Sequence, residues 1–126
     1  WWLQPRAAGR TGVAGFATAW ARRAGGVPGP VAVLDSGISY HPDLFANVLD
    51  GYDFVSNPVY AGDGDGRDAN PNDEGDAVTD AERSLRPAEF SGCPDQPASG
   101  WHGTIIAGLV GAMTDNTNGV AGAGFN

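Results

Sequence analysis

Two apolar segments, separated by a long stretch without hydrophobic periodicity, limit what this chain can fold into. Residues 31–34 form a short, partly β-branched run after a Pro/Gly break, which is typical of a fully buried strand in a parallel sheet. Residues 101–112 form an apolar run of helix length, and their small side chains favour close packing against a sheet. Residues 50–100 are predicted to be mostly loop. A buried strand, a long loop and a buried helix together predict an α/β fold.

A third segment, 15–24, is alanine-rich and carries three apolar residues at helical spacing, so we expect a short helix there. The glycine pair at 25–26 predicts where that helix ends. The chain has 126 residues, which fits one domain or a piece of one, and no internal repeat divides it. Since 20 of those residues are glycine and 9 are proline, we expect a thin hydrophobic core.

The charge balance argues against one class of function. Fifteen acidic residues against seven arginines give a net charge of −8, whereas nucleic-acid binding requires clustered cations. No apolar run approaches the roughly 20 residues that span a bilayer, so we expect no membrane insertion. The first residues lack a signal-peptide pattern, which indicates a mature form if the protein is secreted.

Asp35 follows the 31–34 run directly and begins an Asp-Ser-Gly sequence. Ligands of open parallel sheets bind beyond the carboxyl ends of the strands, and a carboxylate at such a rim can hold a firm hydrogen bond and still act on a ligand. Asp-Ser-Gly is also good turn chemistry, so a side chain that only caps the turn explains the segment equally well. From this segment alone, a catalytic and a capping role for Asp35 are equal alternatives.

His102 stands at the head of the second apolar segment, followed by Gly103 and Thr104. The glycine leaves room for close backbone approach, and the threonine hydroxyl can cap exposed amide hydrogens. A neutral imidazole acts as a base only when an acceptor fixes its tautomer. Taken alone, an ordinary, satisfied histidine is the more frequent explanation. His41, in the turn after Asp35, is interpreted as structural.

The two segments together resemble the motifs of the subtilisin-like serine proteases. Residues 31–44 (V-A-V-L-D-S-G-I-x-x-H-P-D-L) are similar to the aspartate motif of that family. Residues 101–108 (W-H-G-T-x-x-A-G) are similar to its histidine motif, and residues 119–122 (G-V-A-G) match the segment that follows that motif. An Asp that precedes a His also agrees with the order of that family's Asp-His-Ser triad.

The resemblance implies a secreted, extracellular serine endopeptidase that acts on protein or peptide substrates. Asp35 and His102 would be its catalytic residues, with Asp35 orienting the imidazole and His102 acting as general base and then as acid. Ile105 stands where the family usually has a further histidine, which is not a triad member. The family's nucleophile motif, G-T-S-M-A, is absent from these residues, as is the region of the oxyanion-hole asparagine.

We therefore expect residues 1–126 to be the N-terminal part of a subtilisin-like parallel-sheet domain, incomplete and inactive alone. The expected partner is the remaining C-terminal part of the protease as a second chain, and a truncated polypeptide is the alternative. Cys93 is the single cysteine, so it cannot form a disulfide within this chain. Similar proteases often pair a cysteine of this loop with one beyond the histidine segment, which makes a disulfide to the second chain one option and an inert thiol the other.

Residues 63–76 form an acidic loop with six acidic side chains and one arginine. These carboxylates repel one another unless a cation offsets them, and oxygen ligands on a glycine-flexed loop suit Ca²⁺. The loop is not a standard EF-hand, because Asp68 stands at the position that requires glycine. A solvated acidic loop is the alternative.

The acidic loop also resembles the calcium loop of secreted bacterial members of the family. The calcium ligands that the resemblance implies are Asp63, Asp65, the carbonyl group of Arg67, and Asp76, with Asp68 and Asp73 as additional candidates. A second family calcium site implies Asp43 as a ligand, together with groups from the loop at 115–120.

Two competing functions explain part of the sequence. Asp-Ser-Gly on an apolar strand also occurs in aspartic proteases, but that motif requires Ser or Thr where this chain has Ile38. A catalytically inert, secreted calcium-binding fragment explains the acidic loop but not the sequences around Asp35 and His102. Sensitivity to serine-directed phosphonates, sensitivity to pepstatin, and calcium binding without turnover distinguish the three hypotheses.

Overall fold

The structure, a computed structural model, describes residues 3–5, 7–9, 12–22 and 29–124. Its regular elements are short and mostly helical. They are α1 (Phe16–Ala21), a 3₁₀ helix (Phe45–Asn47), α2 (Pro58–Ala61), α3 (Asp80–Leu85), α4 (Pro87–Phe90) and α5 (His102–Gly111). Isolated bridges join Ile38 to Asn72 in parallel and Val78 to Gln96 in antiparallel orientation. The described ranges contain no strand of several residues, so the predicted α/β sheet is not formed within them.

The prediction of a fully buried strand at residues 31–34 is wrong for this structure. The segment has no regular secondary structure, and the side chains of Val31 and Leu34 are 67% and 91% exposed. A run of this type becomes a buried strand only when neighbouring strands pair with it and helices cover both its faces. No described segment pairs with it, so its apolar side chains face solvent.

The predicted helix at residues 101–112 is confirmed as α5, although it is buried only in part. Gly103 is buried, whereas Ile105 and Leu109 are exposed. The last turn is held by the segment that follows, because the N–H groups of Ala123 and Gly124 donate to carbonyl groups of the helix at 2.9 and 2.8 Å. The helix is therefore fixed at its carboxyl end, and one side of it has no described partner.

Helix α1 confirms the helix expected near residues 15–24, with a shorter length. The indole Nε1 of Trp20 donates to the carbonyl of Ala123 at 2.9 Å, which ties this helix to the segment behind α5. The predicted end at the glycine pair 25–26 lies outside the described residues. Among the described residues, no helix has the length and apolarity needed to cross a membrane.

Residues 50–100 are largely loop, as expected, but they contain three short helices that the prediction omitted. Helix α3 begins with a capping box in which Thr79 and Glu82 satisfy each other's backbone N–H groups. This Thr-x-x-Glu signal is readable in the sequence. Helices α2 and α4 each begin with a proline in the first turn, where its missing N–H is not needed.

The buried part of the described chain is small and partly polar. Leu44 and Ala112 are its buried apolar side chains, and Asp43 and Asp73 are buried carboxylates, 2% and 6% exposed. The thin core predicted from the glycine and proline content is consistent with this arrangement. Buried carboxylates require hydrogen-bond donors, so the surroundings of these two residues are informative about the site.

Candidate active site

The structure brings Asp35 and His102 together, although 66 residues separate them along the chain. The ring nitrogen Nδ1 of His102 lies 2.8 Å from Oδ1 and 2.9 Å from Oδ2 of Asp35. The imidazole side chain is 68% exposed, while the carboxylate side chain is 17% exposed even though the Asp35 main chain is open to solvent. The pair therefore has a sheltered carboxylate and an accessible imidazole.

The hydrogen bonds at Asp35 keep its carboxylate ionised. The backbone N–H of Ser36 donates to Oδ1 at 2.8 Å, and this bond, followed by the contact with His102, holds the pKa of Asp35 below its ordinary value. An ionised carboxylate accepts hydrogen bonds only, so Nδ1 of a neutral His102 must carry the proton. The lone pair of the imidazole is then on Nε2, which is the arrangement of a general base.

The start of α5 is fixed by side chains from the segment that follows Asp35. The hydroxyl Oγ of Ser36 accepts from the backbone N–H of Gly103 at 3.0 Å. The hydroxyl of Thr104 accepts from the backbone N–H of Ser39 at 2.9 Å. Thr104 therefore caps an exposed amide hydrogen, as expected, and that amide belongs to the neighbouring segment, while Ser36 supplies an acceptor to the helix.

Gly103 is required by the close approach of these two segments. A side chain at this position would overlap the carbonyl oxygen of Gly37. Gly37 itself has a φ of 107°, in the left-handed region that favours glycine. The Asp-Ser-Gly and His-Gly-Thr sequences are thus in direct backbone contact, which explains why both contain glycine.

The acidic loop places three carboxylates close to one another. Carboxylate oxygens of Asp53, Asp63 and Asp68 all lie within 4.8 Å of one another. The charge of Asp63, with burial and the charges of Asp68 and Asp53, raises the pKa of Asp65 above its ordinary value. The guanidinium of Arg67 lies 5.4 Å above the ring of Phe54. Carboxylates at this spacing are a donor set that fits Ca²⁺.

Two further candidate calcium ligands, Asp73 and Asp76, are hydrogen-bonded elsewhere. Asp76 accepts from the backbone N–H of Gly100 at 2.6 Å, and this bond, with one from Gln96, lowers the pKa of its carboxyl group. Asp73 accepts from the hydroxyl of Ser36 at 2.8 Å and from a backbone N–H of its own loop. Both carboxylates thus serve the segments around the Asp35–His102 pair, and their role as metal ligands stays a prediction.

Asp43 holds the loop after α5. Its carboxylate accepts from the amide Nδ2 of Asn116 at 2.6 Å and from the backbone N–H of Val120 at 2.9 Å, and both bonds lower its pKa. Its own N–H donates to Nδ1 of His41 at 3.2 Å, which agrees with the structural interpretation of that histidine. The predicted proximity of Asp43 to loop 115–120 is present, and its calcium role stays a prediction.

Sequence reasoning missed two residues of these sites. Asp53 belongs to the carboxylate group of the acidic loop but lies ten residues before the acidic run begins. Backbone bonds between Asp53 and Asp68, at 2.9 and 3.2 Å, bring the two segments together. The sequence indicates for Ser36 only a turn position in Asp-Ser-Gly. Its contact with Gly103 depends on long-range packing that no local signal reports.

Cys93 is half-buried, and its thiol forms no disulfide within the described chain. Its loop is anchored by Arg83, which contacts the carboxylates of Asp80 and Asp95 and the carbonyl of Pro94. The prediction of a disulfide to another polypeptide is untested by this structure.

Comparisons with known proteins identify the family of this chain. The model of the subtilase family, Peptidase_S8, matches residues 30–126. An extracellular protease of Xanthomonas campestris pv. campestris is 50% identical over 95 residues, which cover 75% of this chain and 15% of that protein. An extracellular basic protease of Dichelobacter nodosus is 43% identical over 99 residues, with the same two coverages.

A solved structure of a protease from Pseudoalteromonas arctica matches with a TM-score of 0.56 and 45% identity, covering 69% of this chain and 23% of that one. The chain therefore belongs to the subtilase family and shares part of the fold of a protease. It spans about 15% of the length of the curated relatives named above. The aspartic-protease alternative is excluded by the family match.

Proposed function

We propose that this chain supplies the orienting carboxylate, Asp35, and the general base, His102, to a serine endopeptidase of the subtilase type. The observation that carries the proposal is the contact of Nδ1 of His102 with both oxygens of Asp35. Because the imidazole side chain is 68% exposed, a serine hydroxyl and a peptide have access to it. The names of the relatives, extracellular proteases, support the same activity and a secreted location.

The proposed chemistry is acyl transfer. Nε2 of His102 takes the proton of a serine hydroxyl while the serine oxygen bonds to the carbonyl carbon of the peptide. The imidazolium gives that proton to the amine nitrogen as the peptide C–N bond breaks. Water then attacks the acyl-enzyme by the same route, with its proton passing through Nε2, which releases the acid and restores the serine. Asp35 holds Nδ1 and stabilises the imidazolium in both steps.

The nucleophilic serine belongs to a part of the protease other than these residues. Among the described residues, the hydroxyls of Ser36 and Ser39 both donate to Asp73, and no described serine is hydrogen-bonded to His102. We use "assembled protease" for this chain together with the polypeptide that carries the serine and the oxyanion hole. That polypeptide is the partner we propose, either continuous with this chain or as a second chain linked through Cys93.

The exposed apolar side chains support this assembly. Residues 31–34 and one side of α5 present valine, leucine and isoleucine side chains to solvent. When such side chains form an extended surface, another part of the protein or a partner normally covers it. Strands from the rest of the domain would complete a parallel sheet at residues 31–34 and place the serine opposite His102.

We further propose that the acidic loop binds Ca²⁺ through Asp53, Asp63 and Asp68, with Asp65 and the carbonyl of Arg67 as additional ligands. The mutual distances of the three carboxylates and the raised pKa of Asp65 support this proposal. The cation would offset the repulsion between these carboxylates. The acidic loop, which includes Asp73 and Asp76, would then fold in one conformation.

The test is hydrolysis of a peptide substrate by the assembled protease, with inhibitors of two classes. The proposal predicts turnover that a serine-directed phosphonate abolishes and pepstatin leaves unchanged. The His102→Ala variant is expected to lose turnover, while the matched control His41→Ala, at the other histidine, retains it when folded. Calcium binding with no turnover in the assembled protein would instead support an inert calcium-binding module.

A further inference from the structure

A chain of hydrogen bonds links the acidic loop to the Asp35–His102 pair through one hydroxyl group. The hydroxyl of Ser36 donates to Oδ2 of Asp73 at 2.8 Å and accepts from the backbone N–H of Gly103 at 3.0 Å. Ser36 and Gly103 are the immediate chain neighbours of Asp35 and His102. The bond between Ser36 and Gly103 therefore joins the two segments one residue away from the reacting pair.

The hydroxyl group of Ser36 has a defined orientation. Asp73 is 6% exposed and its other oxygen accepts from the backbone N–H of Gly75 at 2.8 Å. An ionised carboxylate accepts only, so the single proton of the Ser36 hydroxyl must point toward Asp73. The lone pairs of Ser36 are then available to the N–H of Gly103, which is one of the unpaired donors at the start of α5. A serine without the carboxylate could rotate its proton toward Gly103 and lose this contact.

Asp73 is itself fixed from several sides. Its N–H donates to the carbonyl of Ile38 at 3.3 Å, and its carbonyl accepts from the hydroxyl of Ser39 at 3.3 Å. The N–H of Ile38 donates to the carbonyl of Pro71 at 2.9 Å. Three segments, 36–39, 71–75 and 103–104, thus meet at one joint, and Asp73 is the buried charge at its centre.

We propose that Ser36 and Asp73 are positioning residues that set the separation and orientation of Asp35 and His102. The proposal rests on the function proposed above only in its kinetic consequence, because the joint itself is a property of this chain. Misplacement of a catalytic group by about 1 Å can reduce turnover by roughly 100-fold. A joint one residue from each member of the pair controls displacements of that size.

The structural experiment measures the Nδ1 proton of His102 by NMR in the assembled protease. In the unmodified protein and in Ser36→Thr, whose hydroxyl can make both bonds, this proton should give a deshielded, slowly exchanging signal. In Ser36→Ala the signal should be lost. The matched control is Ser91→Ala, at an exposed serine of the loop after α4, which should keep it. Persistence of the signal in Ser36→Ala would overturn the proposal.

Asp73→Asn provides a second variant in case Ser36→Ala does not fold. An asparagine has one acceptor oxygen for two donors, so it can satisfy Ser36 or Gly75 but not both in the original geometry. We expect a shortened lifetime of the Nδ1 proton in a variant whose circular dichroism is that of the unmodified protein. An unchanged proton lifetime in folded Asp73→Asn contradicts the directional role of the carboxylate.

The kinetic experiment separates this proposal from the proposed function. Ser36→Ala should lower kcat by about 10- to 100-fold with little change in KM, and Ser36→Thr should restore most of it. If the unmodified protein shows no turnover, the proposed function fails while the NMR result still decides the role of the joint. If turnover is present and Ser36→Ala leaves kcat and the Nδ1 signal unchanged, the joint has no positioning role.

Discussion

Carboxylates in two regions of this molecule are in opposite situations. Asp35, Asp43 and Asp76 accept hydrogen bonds from backbone or side-chain donors, and each has a lowered pKa. Asp65, near the start of the acidic loop that Asp76 ends, has a raised pKa, chiefly because of the charge of Asp63. The first group is satisfied by the chain itself. The carboxylates near Asp65 also accept backbone N–H groups, but their negative charges repel one another.

The difference indicates what each region does. The carboxylates that accept hydrogen bonds hold the segments that carry His102 and the end of α5. Their contribution is therefore to fix the positions of these segments. Crowded carboxylates repel one another at neutral pH, and the proposed cation would offset that repulsion. The Asp35–His102 pair and the proposed calcium site therefore lie in separate regions, and Asp73 and Asp76 connect them.

The largest expected effect is on turnover. Asp35→Asn in the assembled protease should lower kcat by about 10⁴-fold, because an amide no longer selects the required tautomer of His102. The measurement is kcat for a peptide substrate, with exposed Asp50→Asn as the matched control. A reduction in kcat below about tenfold would mean that Asp35 only caps its turn and does not contribute to catalysis.

The next effect is the response to calcium. In about 100-fold excess over its Kd, Ca²⁺ should raise the Tm by roughly 5–20 °C at pH 7.5, and chelation should reverse this. Asp63→Asn should remove most of the shift, while Asp50→Asn should keep it. An equal shift in both variants would locate the calcium effect outside the acidic loop.

Asp43→Ala should lower the Tm by roughly 5 °C or more, because Asn116 and Val120 lose their acceptor. The pKa of Asp43 is lowered in the folded state, so its stabilisation is present above its ordinary value of about 3.8 and is lost as the pH falls through the folded value. Thermal melts of both proteins should therefore converge in strong acid. A constant difference at all pH values would show that packing, not charge, explains the loss.

When a chelator removes Ca²⁺, Asp65→Asn should raise the Tm, which is opposite to the effect of Asp43→Ala. Its pKa is raised in the folded state, so its ionised form disfavours folding at neutral pH, and stability rises as the pH falls through that raised value. We expect the variant to gain roughly 2–4 °C in Tm at pH 7.5 without Ca²⁺ and to gain less from added Ca²⁺. If the variant instead has a lower Tm than the unmodified protein in the presence of the chelator, the carboxylate of Asp65 stabilises the fold, as those of Asp35, Asp43 and Asp76 are argued to do.

The smallest effect lies outside both regions. Thr79→Ala removes the capping box of α3 and should reduce the free energy of unfolding by about 1 kcal/mol. The same variant should leave kcat and the calcium response unchanged. A change in either would show that α3 is coupled to the site.

The sequence predicted the pairing of Asp35 with His102 better than it predicted the structure around them. Asp35 and His102 were found because their glycine and serine neighbours form specific motifs, and α5 was found because its apolar run is long. The strand at residues 31–34 was not formed, because a strand depends on partners that no local pattern supplies. Asp53 and the role of Ser36 were missed for the same reason, since both depend on contacts between segments far apart along the chain.

The proposed function is tested most directly by identifying the residue that a serine-directed phosphonate modifies in the assembled protease, by mass spectrometry of its peptides. We expect one modified serine, outside residues 1–126, whose labelling requires both Asp35 and His102. Modification of a serine within this chain, or labelling that persists in His102→Ala at an unchanged rate, would contradict it.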